Sequence, residues 1–179
     1  LGTLLLLASC RPGSAPAPGA RPSPPPVLDA DAVDLPSEVR VLGADGVAAD
    51  AAVPGPLADL LRRSGFLVAS EREFHGHGER FDRVLARTLL FSDGAGAAAY
   101  VDWVASHPRE ILGATRRLRP LGFGADAVLF QLRPCGCMAE LPTFLAAWRR
   151  GSTVRFLLAT GRGASRHTLL PIAVALDRL

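Results

Sequence analysis

One stretch near the C-terminal end most constrains the fold, because it predicts two adjacent strands joined by a tight turn. Apolar side chains alternate on both sides of a short polar break, at Phe144, Ala146 and Trp148 and again at Val154, Phe156 and Leu158. Alternation with a period of two is typical of strands. Arg149-Arg150-Gly151 predicts a three-residue loop, in which glycine supplies the left-handed position. We therefore expect a β-hairpin here.

The rest of the chain alternates between helix and strand patterns. We expect a helix with Pro56 at its first position, two strands, a helix capped by Ser92, a short helix, a third strand and a final helix beginning near Thr168 with Pro171 in its first turn. The strands are expected at 66–74, 84–91 and 127–132, and the short helix at 110–114. This order predicts an α+β fold, a mainly antiparallel sheet of about five strands with helices packed on one face.

The first residues carry an apolar run that stops at a cysteine. The run is too short to span a bilayer, which requires about 20 apolar residues, and it is typical of the end of a signal peptide. Leu7-Ala8-Ser9-Cys10 resembles the bacterial lipobox. This resemblance implies that the Cys10 thiol is lipidated, that cleavage precedes it, and that the protein lies on the extracytoplasmic face of the cell membrane. The alternative is a buried apolar segment with an incidental cysteine.

Composition shifts divide the chain into four parts. We expect a signal-peptide remnant at 1–9, the lipidated cysteine with a Pro/Ala-rich tether at 10–27, an acidic and partly disordered lead-in at 28–55, and a single globular α+β domain at 56–179. At about 3.1 Å per residue, a tether of polyproline character reaches roughly 50 Å.

Charge excludes one class of function. All twenty basic residues are arginine, and from Leu28 onward 18 arginines face 17 acidic residues. Nucleic-acid binding proteins instead carry a basic face with groove-reading or aromatic elements. We therefore expect no nucleic-acid partner.

The segment from Phe74 to Glu79 carries the densest set of metal-ligating groups. His75 and His77 are two residues apart, so in an extended segment they point the same way and can chelate one metal, with Glu73 or Glu79 as a third ligand. The alternative is a glycine-rich hairpin tip with solvated histidines.

Cys135-Gly136-Cys137 is the second cluster of chemistry-bearing groups. Exported proteins usually oxidise their thiols, so these two form a strained disulfide, remain as paired thiols, or hold copper(I) or zinc. A site combining both cysteines with His75 and His77 is chemically attractive, but nothing in the sequence brings the two segments together.

Catalytic signatures are absent from the sequence, which has no G-x-S-x-G, H-E-x-x-H or Walker pattern. Ser165 and His167 lie at a helix entry, where capping explains them better than catalysis. We expect no cofactor and no enzymatic activity. The leading hypothesis is an envelope lipoprotein that binds a small ligand, lipid or protein partner; the alternative is a metal- or thiol-dependent envelope protein that uses the two clusters above.

A wider resemblance covers the last 120 residues. Trp148-Arg149-Arg150-Gly151-Ser152-Thr153-Val154, and the Gly124-Ala125-Asp126 that precedes a strand, are similar to small exported actinobacterial lipoproteins. The extracellular sensor domains of some bacterial kinases and the PsbP-like lipoproteins have a comparable strand-and-helix plan.

Overall fold

The computed structural model describes residues 22–113, 115–132 and 141–179. After a 3₁₀ turn (Ala30–Ala32), the elements in chain order are β1 (Ser37–Leu42), α1 (Ala44–Ala48), α2 (Pro54–Arg63), β2 (Phe66–His75), β3 (Arg83–Phe91), α3 (Gly94–Ser106), α4 (Pro108–Leu112), β4 (Thr115–Leu118), β5 (Ala125–Leu132), β6 (Thr143–Arg150), β7 (Thr153–Thr160) and α5 (Arg166–Asp177).

All seven strands belong to one sheet, in the order β1-β2-β3-β7-β6-β5-β4, and every neighbouring pair is antiparallel. The α+β class and the antiparallel sheet are confirmed. The expected number of about five strands is wrong, because the sheet has two additional strands, β1 and β4, one at each edge. β4 is only four residues long and carries two exposed arginines. β1 alternates polar residues with Val39 and Val41 but is exposed over most of its length, so neither strand has the buried apolar pattern of the central strands.

Helices cover both faces of the sheet, which corrects the expectation that they share one. On one side, here the α3 face, α1, α2 and α3 pack on alternate strand residues such as Leu85, Leu145 and Phe156. On the other, the α5 face, α5 and the segment before β1 pack on Val84 and Leu157. Alternate residues of the central strands thus face two separate cores, which explains why β3 and β6 are buried almost throughout their length.

The ends of α3 show how local chemistry sets the boundaries. Asp93, not Ser92, caps the helix, because its carboxylate accepts a hydrogen bond of 2.9 Å from the backbone N–H of Gly96. A Cβ on Gly96 would lie 1.9 Å from the carbonyl oxygen of Ser64, so glycine is required where α3 crosses the end of α2. Pro108 follows the end of α3 and is the first residue of α4.

Two further expectations differ in detail. The β6–β7 hairpin forms, but its loop is the two residues Gly151 and Ser152, since Arg150 still pairs with Thr153. Gly151 adopts the left-handed conformation, with φ of 58°.

The last helix begins at Arg166 rather than near Thr168, because a capping box starts it earlier. Ser165 and Thr168 each accept a hydrogen bond from the other's backbone N–H. Pro171 consequently lies inside α5 and not in its first turn. Four residues of α5 face inward and are buried: Leu169, Ile172, Ala173 and Leu176.

Candidate ligand-binding cleft

The cysteines to which the sequence assigns chemistry lie outside the described residues. This applies to Cys10, the predicted lipidation site, and to Cys135 and Cys137, the predicted disulfide pair. Those assignments stay predictions.

The two histidines lie where β2 ends and the β2–β3 loop begins, and both are exposed. His77 Nδ1 is 3.5 Å from Asp82 Oδ1. No group of three or more metal-ligating side chains converges within the described part of the chain. The metal site at His75 and His77 also stays a prediction.

A cleft of about 360 Å³ opens beside this loop on the α5 face of the sheet. Three surfaces form it: the segment before β1, the β2–β3 loop and the first half of α5. Its buried floor is apolar, built from Val33, Phe81 and Ile172. Its exposed rim carries three charged residues: Asp34, Glu79 and Arg80. The cleft thus combines an apolar bed with a rim of net negative charge.

Backbone hydrogen bonds hold the walls of the cleft in place. Gly78 N–H donates to Phe81 O at 3.1 Å, and Gly163 N–H donates to Arg80 O at 3.0 Å. A Cβ on Gly161 would lie 2.5 Å from both Arg80 O and the Cα of Phe81, so only glycine permits this packing of the loop against the end of β7. The segment before β1 is tied in by His75 N–H, which donates to Pro36 O at 3.1 Å. The cleft is therefore pre-formed.

The opposite face of the sheet contains a buried ionic network, centred on Arg87 in β3. Arg87 and its strand neighbour Glu71 each expose only 2% of their side chains and form an ion pair. Arg87 also binds the carboxylate of Asp50 and donates to Val47 O at 3.4 Å, and its guanidinium lies 5.6 Å from the ring centroid of Phe156. The network joins the middle of the sheet to the α1–α2 connection.

Burial and neighbouring charges together set the ionisation of this network. Burial would lower the pKa of Arg87, but the adjacent Tyr100, Glu71 and Asp50 outweigh it and the pKa is raised. Burial raises the pKa of Tyr100 to about 12, against the opposing charge of Arg87. Arg87 is therefore a permanent cation paired within the core, which suits a structural role better than proton transfer.

Sequence reasoning missed both the cleft and the network. One signal was present: in β2, Ser70-Glu71-Arg72-Glu73 breaks the apolar pattern in the middle of a strand. A strand with polar side chains on both faces must either be exposed or carry satisfied polar groups. The cleft left no such signal, because its three walls come from distant parts of the chain.

Comparison with known proteins adds no functional assignment. No protein-family model matches the chain, and no curated protein matches it. Among solved structures, the extracellular domain of PknH from Mycobacterium tuberculosis is similar, with 14% sequence identity and a TM-score of 0.47, over 79% of this chain and 77% of that one. None of the described helices is long and apolar enough to cross a membrane.

Proposed function

We propose that this chain is a membrane-anchored envelope lipoprotein whose domain is a non-catalytic binding module for a small ligand with an apolar body. The observation that carries the binding role is the cleft on the α5 face. Ligand sites are typically pre-formed concavities of about 300–1,000 Å³. The cleft of about 360 Å³ lies at the lower end of this range.

The lining narrows the chemistry of the ligand. Val33, Phe81 and Ile172 favour an apolar body, because burying apolar surface contributes about 25 cal/mol per Å². At the rim, Asp34 and Glu79 outnumber Arg80. A neutral or basic ligand therefore fits better than an anionic one.

The anchor is proposed from the sequence alone, on Leu7-Ala8-Ser9-Cys10. One acyl chain holds a protein only weakly, whereas several make the attachment stable. The test replaces Cys10 with Ser and fractionates the cells. We expect the variant to leave the membrane fraction; unchanged membrane association would remove the anchor from the proposal.

Binding is tested with the neutral dye N-phenyl-1-naphthylamine as the apolar probe. We expect saturable fluorescence enhancement by the Cys10→Ser protein. Pro171→Trp places a large ring in the cleft and should weaken binding at least tenfold. Leu170→Trp is the matched control, because Leu170 is the adjacent exposed residue and does not line the cleft. Equal binding by both variants, or no saturable binding, contradicts the proposed cleft.

The metal- or thiol-dependent alternative rests on His75, His77, Cys135 and Cys137. Elemental analysis of protein purified without added metal, together with a thiol count, tests it. One equivalent of zinc or copper that is lost in a His75→Ala/His77→Ala variant would favour it over the first proposal.

A further inference from the structure

A row of polar groups crosses the α5 face of the sheet, away from the cleft. Ser70 in β2 pairs with Thr88 in β3, and Thr88 pairs with Arg155 in β7. All three side chains are buried, with exposures of 2%, 0% and 4%. Since Val154 and Phe156 face α3, strand alternation places Arg155 and its two partners on the other side.

The donors in this row have no hydrogen-bond partners among the described residues. These atoms are Ser70 Oγ, Thr88 Oγ1, and Nε and Nη1 of Arg155, together with Nε of the adjacent Arg72. Buried polar groups are normally satisfied, so a cluster of unsatisfied ones requires an explanation. Adjacent strands lie about 4.8 Å apart, so the backbone positions of the three residues span roughly 10 Å.

Arginines outnumber carboxylates around the row. The strand positions that share this face carry Arg72, Arg155 and Arg150, and among the described residues the carboxylate that pairs with Arg150 and lies near Arg155 is Asp177 from α5. Asp177 is already used, because it accepts hydrogen bonds from Trp148 Nε1 at 2.8 Å and from Arg150 Nε at 2.7 Å. Within the part of the chain that the structure describes, Arg155 is a buried cation that forms no salt bridge, and burial lowers its pKa.

We propose that this row is an oxyanion-binding site, with Arg155 as its central cation and Ser70, Thr88 and Arg72 as additional donors. The ligand group is a phosphate or carboxylate, since such a group supplies several acceptor oxygens and the missing negative charge. It is carried by a free anion or by an amphiphile, whose chain would lie on Val39 and Val41. These two side chains are 48% and 58% exposed on the same face, at the β1 edge.

The test measures thermal unfolding of the Cys10→Ser protein in inorganic phosphate against chloride at constant ionic strength. At a concentration about a hundredfold above Kd, we expect phosphate to raise Tm by roughly 5–10 °C. Arg155→Met removes the charge at similar length and should abolish this shift. The control Arg62→Met removes an exposed arginine and should retain it. Because phosphate also stabilises proteins non-specifically at high concentration, only the difference between the variants is scored.

A second measurement requires no variant. The Nε–H resonance of Arg155 should shift on titration with phosphate and stay constant with chloride. A phosphate effect that is equal in all three proteins, with no change at Arg155 Nε–H, overturns the proposal and means that these donors hold water only.

Dodecyl phosphate, below its micelle concentration, distinguishes the two sources of the anion. Binding more than tenfold tighter than that of inorganic phosphate, and reduced by Val41→Thr, identifies an amphiphile; equal binding identifies a free anion. Neither anion should displace the neutral dye from the cleft. The phosphate measurements therefore test this site, and dye binding tests the proposed function separately.

Discussion

Replacing Arg87 with methionine tests whether the buried network holds the domain together. The substitution keeps the length of the side chain but leaves Glu71 buried without its main counter-ion. Breaking a buried ion pair by removing one partner costs about 3–5 kcal/mol. Arg40 Nη2 still lies 2.9 Å from Glu71 Oε1, which offsets part of the loss. We therefore expect the free energy of unfolding to fall by about 3 kcal/mol.

The assay is equilibrium urea unfolding of the Cys10→Ser protein. With an m-value of about 2 kcal/mol/M, the midpoint should fall by about 1.5 M. Arg62→Met is the matched control, because Arg62 also pairs with two carboxylates, Asp45 and Asp59, but is 52% exposed. Exposed pairs contribute roughly 0–1 kcal/mol, so the control should shift the midpoint by less than about 0.5 M.

A double variant separates loss of pairing from loss of packing. Arg87→Met/Glu71→Leu removes both buried charges, and the partners left behind, Asp50 and Arg40, are 43% and 46% exposed and so retain access to water. Replacing a buried pair with apolar residues is often neutral or stabilising, so the double variant should recover most of the lost stability. If Arg87→Met costs no more than Arg62→Met, or the double variant is the least stable, the reasoning about the network is wrong.

Two further predictions concern pH. The folded-state pKa of Tyr100, at about 12, lies above its usual 10, so its contribution to the free energy of unfolding is fully present below pH 10 and is lost as pH rises toward 12. Tyr100→Phe should therefore flatten the alkaline fall of the urea midpoint with pH. An unchanged slope would contradict this. Hydrogen bonds from Arg150 and Trp148 hold the pKa of Asp177 below its usual value, against the effect of burial. Its contribution to the free energy of unfolding is therefore present at neutral pH and is lost as pH falls below about 4. In Asp177→Asn, the urea midpoint should fall less steeply at acid pH than in the wild type.

Local patterns predicted the middle of the sheet well. The β6–β7 hairpin and the strand at β3 are confirmed because each is encoded within a few neighbouring residues. The boundaries shifted where a side chain formed a specific hydrogen bond, as with Asp93 at the start of α3 and Ser165 at the start of α5.

The sequence of β3 indicates that helices cover both faces of the sheet. The strand from Val84 to Phe91 is apolar on both faces, and such a strand has to be covered on both. The pairing of Glu71 with Arg87 and the neighbouring positions of Ser70, Thr88 and Arg155 follow from strand register. Register joins residues that are far apart in the chain, so single-sequence periodicity carries no record of it.

The strand order also predicts how the domain folds. β1-β2-β3 and β4-β5-β6-β7 are each connected between near neighbours in sequence, whereas the pairing of β3 with β7 joins residues more than sixty positions apart, from Leu90 with Thr153 to Arg83 with Thr160. Closing this seam costs more loop entropy than any other pairing in the sheet, and high contact order slows folding. We therefore expect two early-forming sheet halves whose rate-limiting step is their union. Arg87 lies directly on that seam, opposite Phe156.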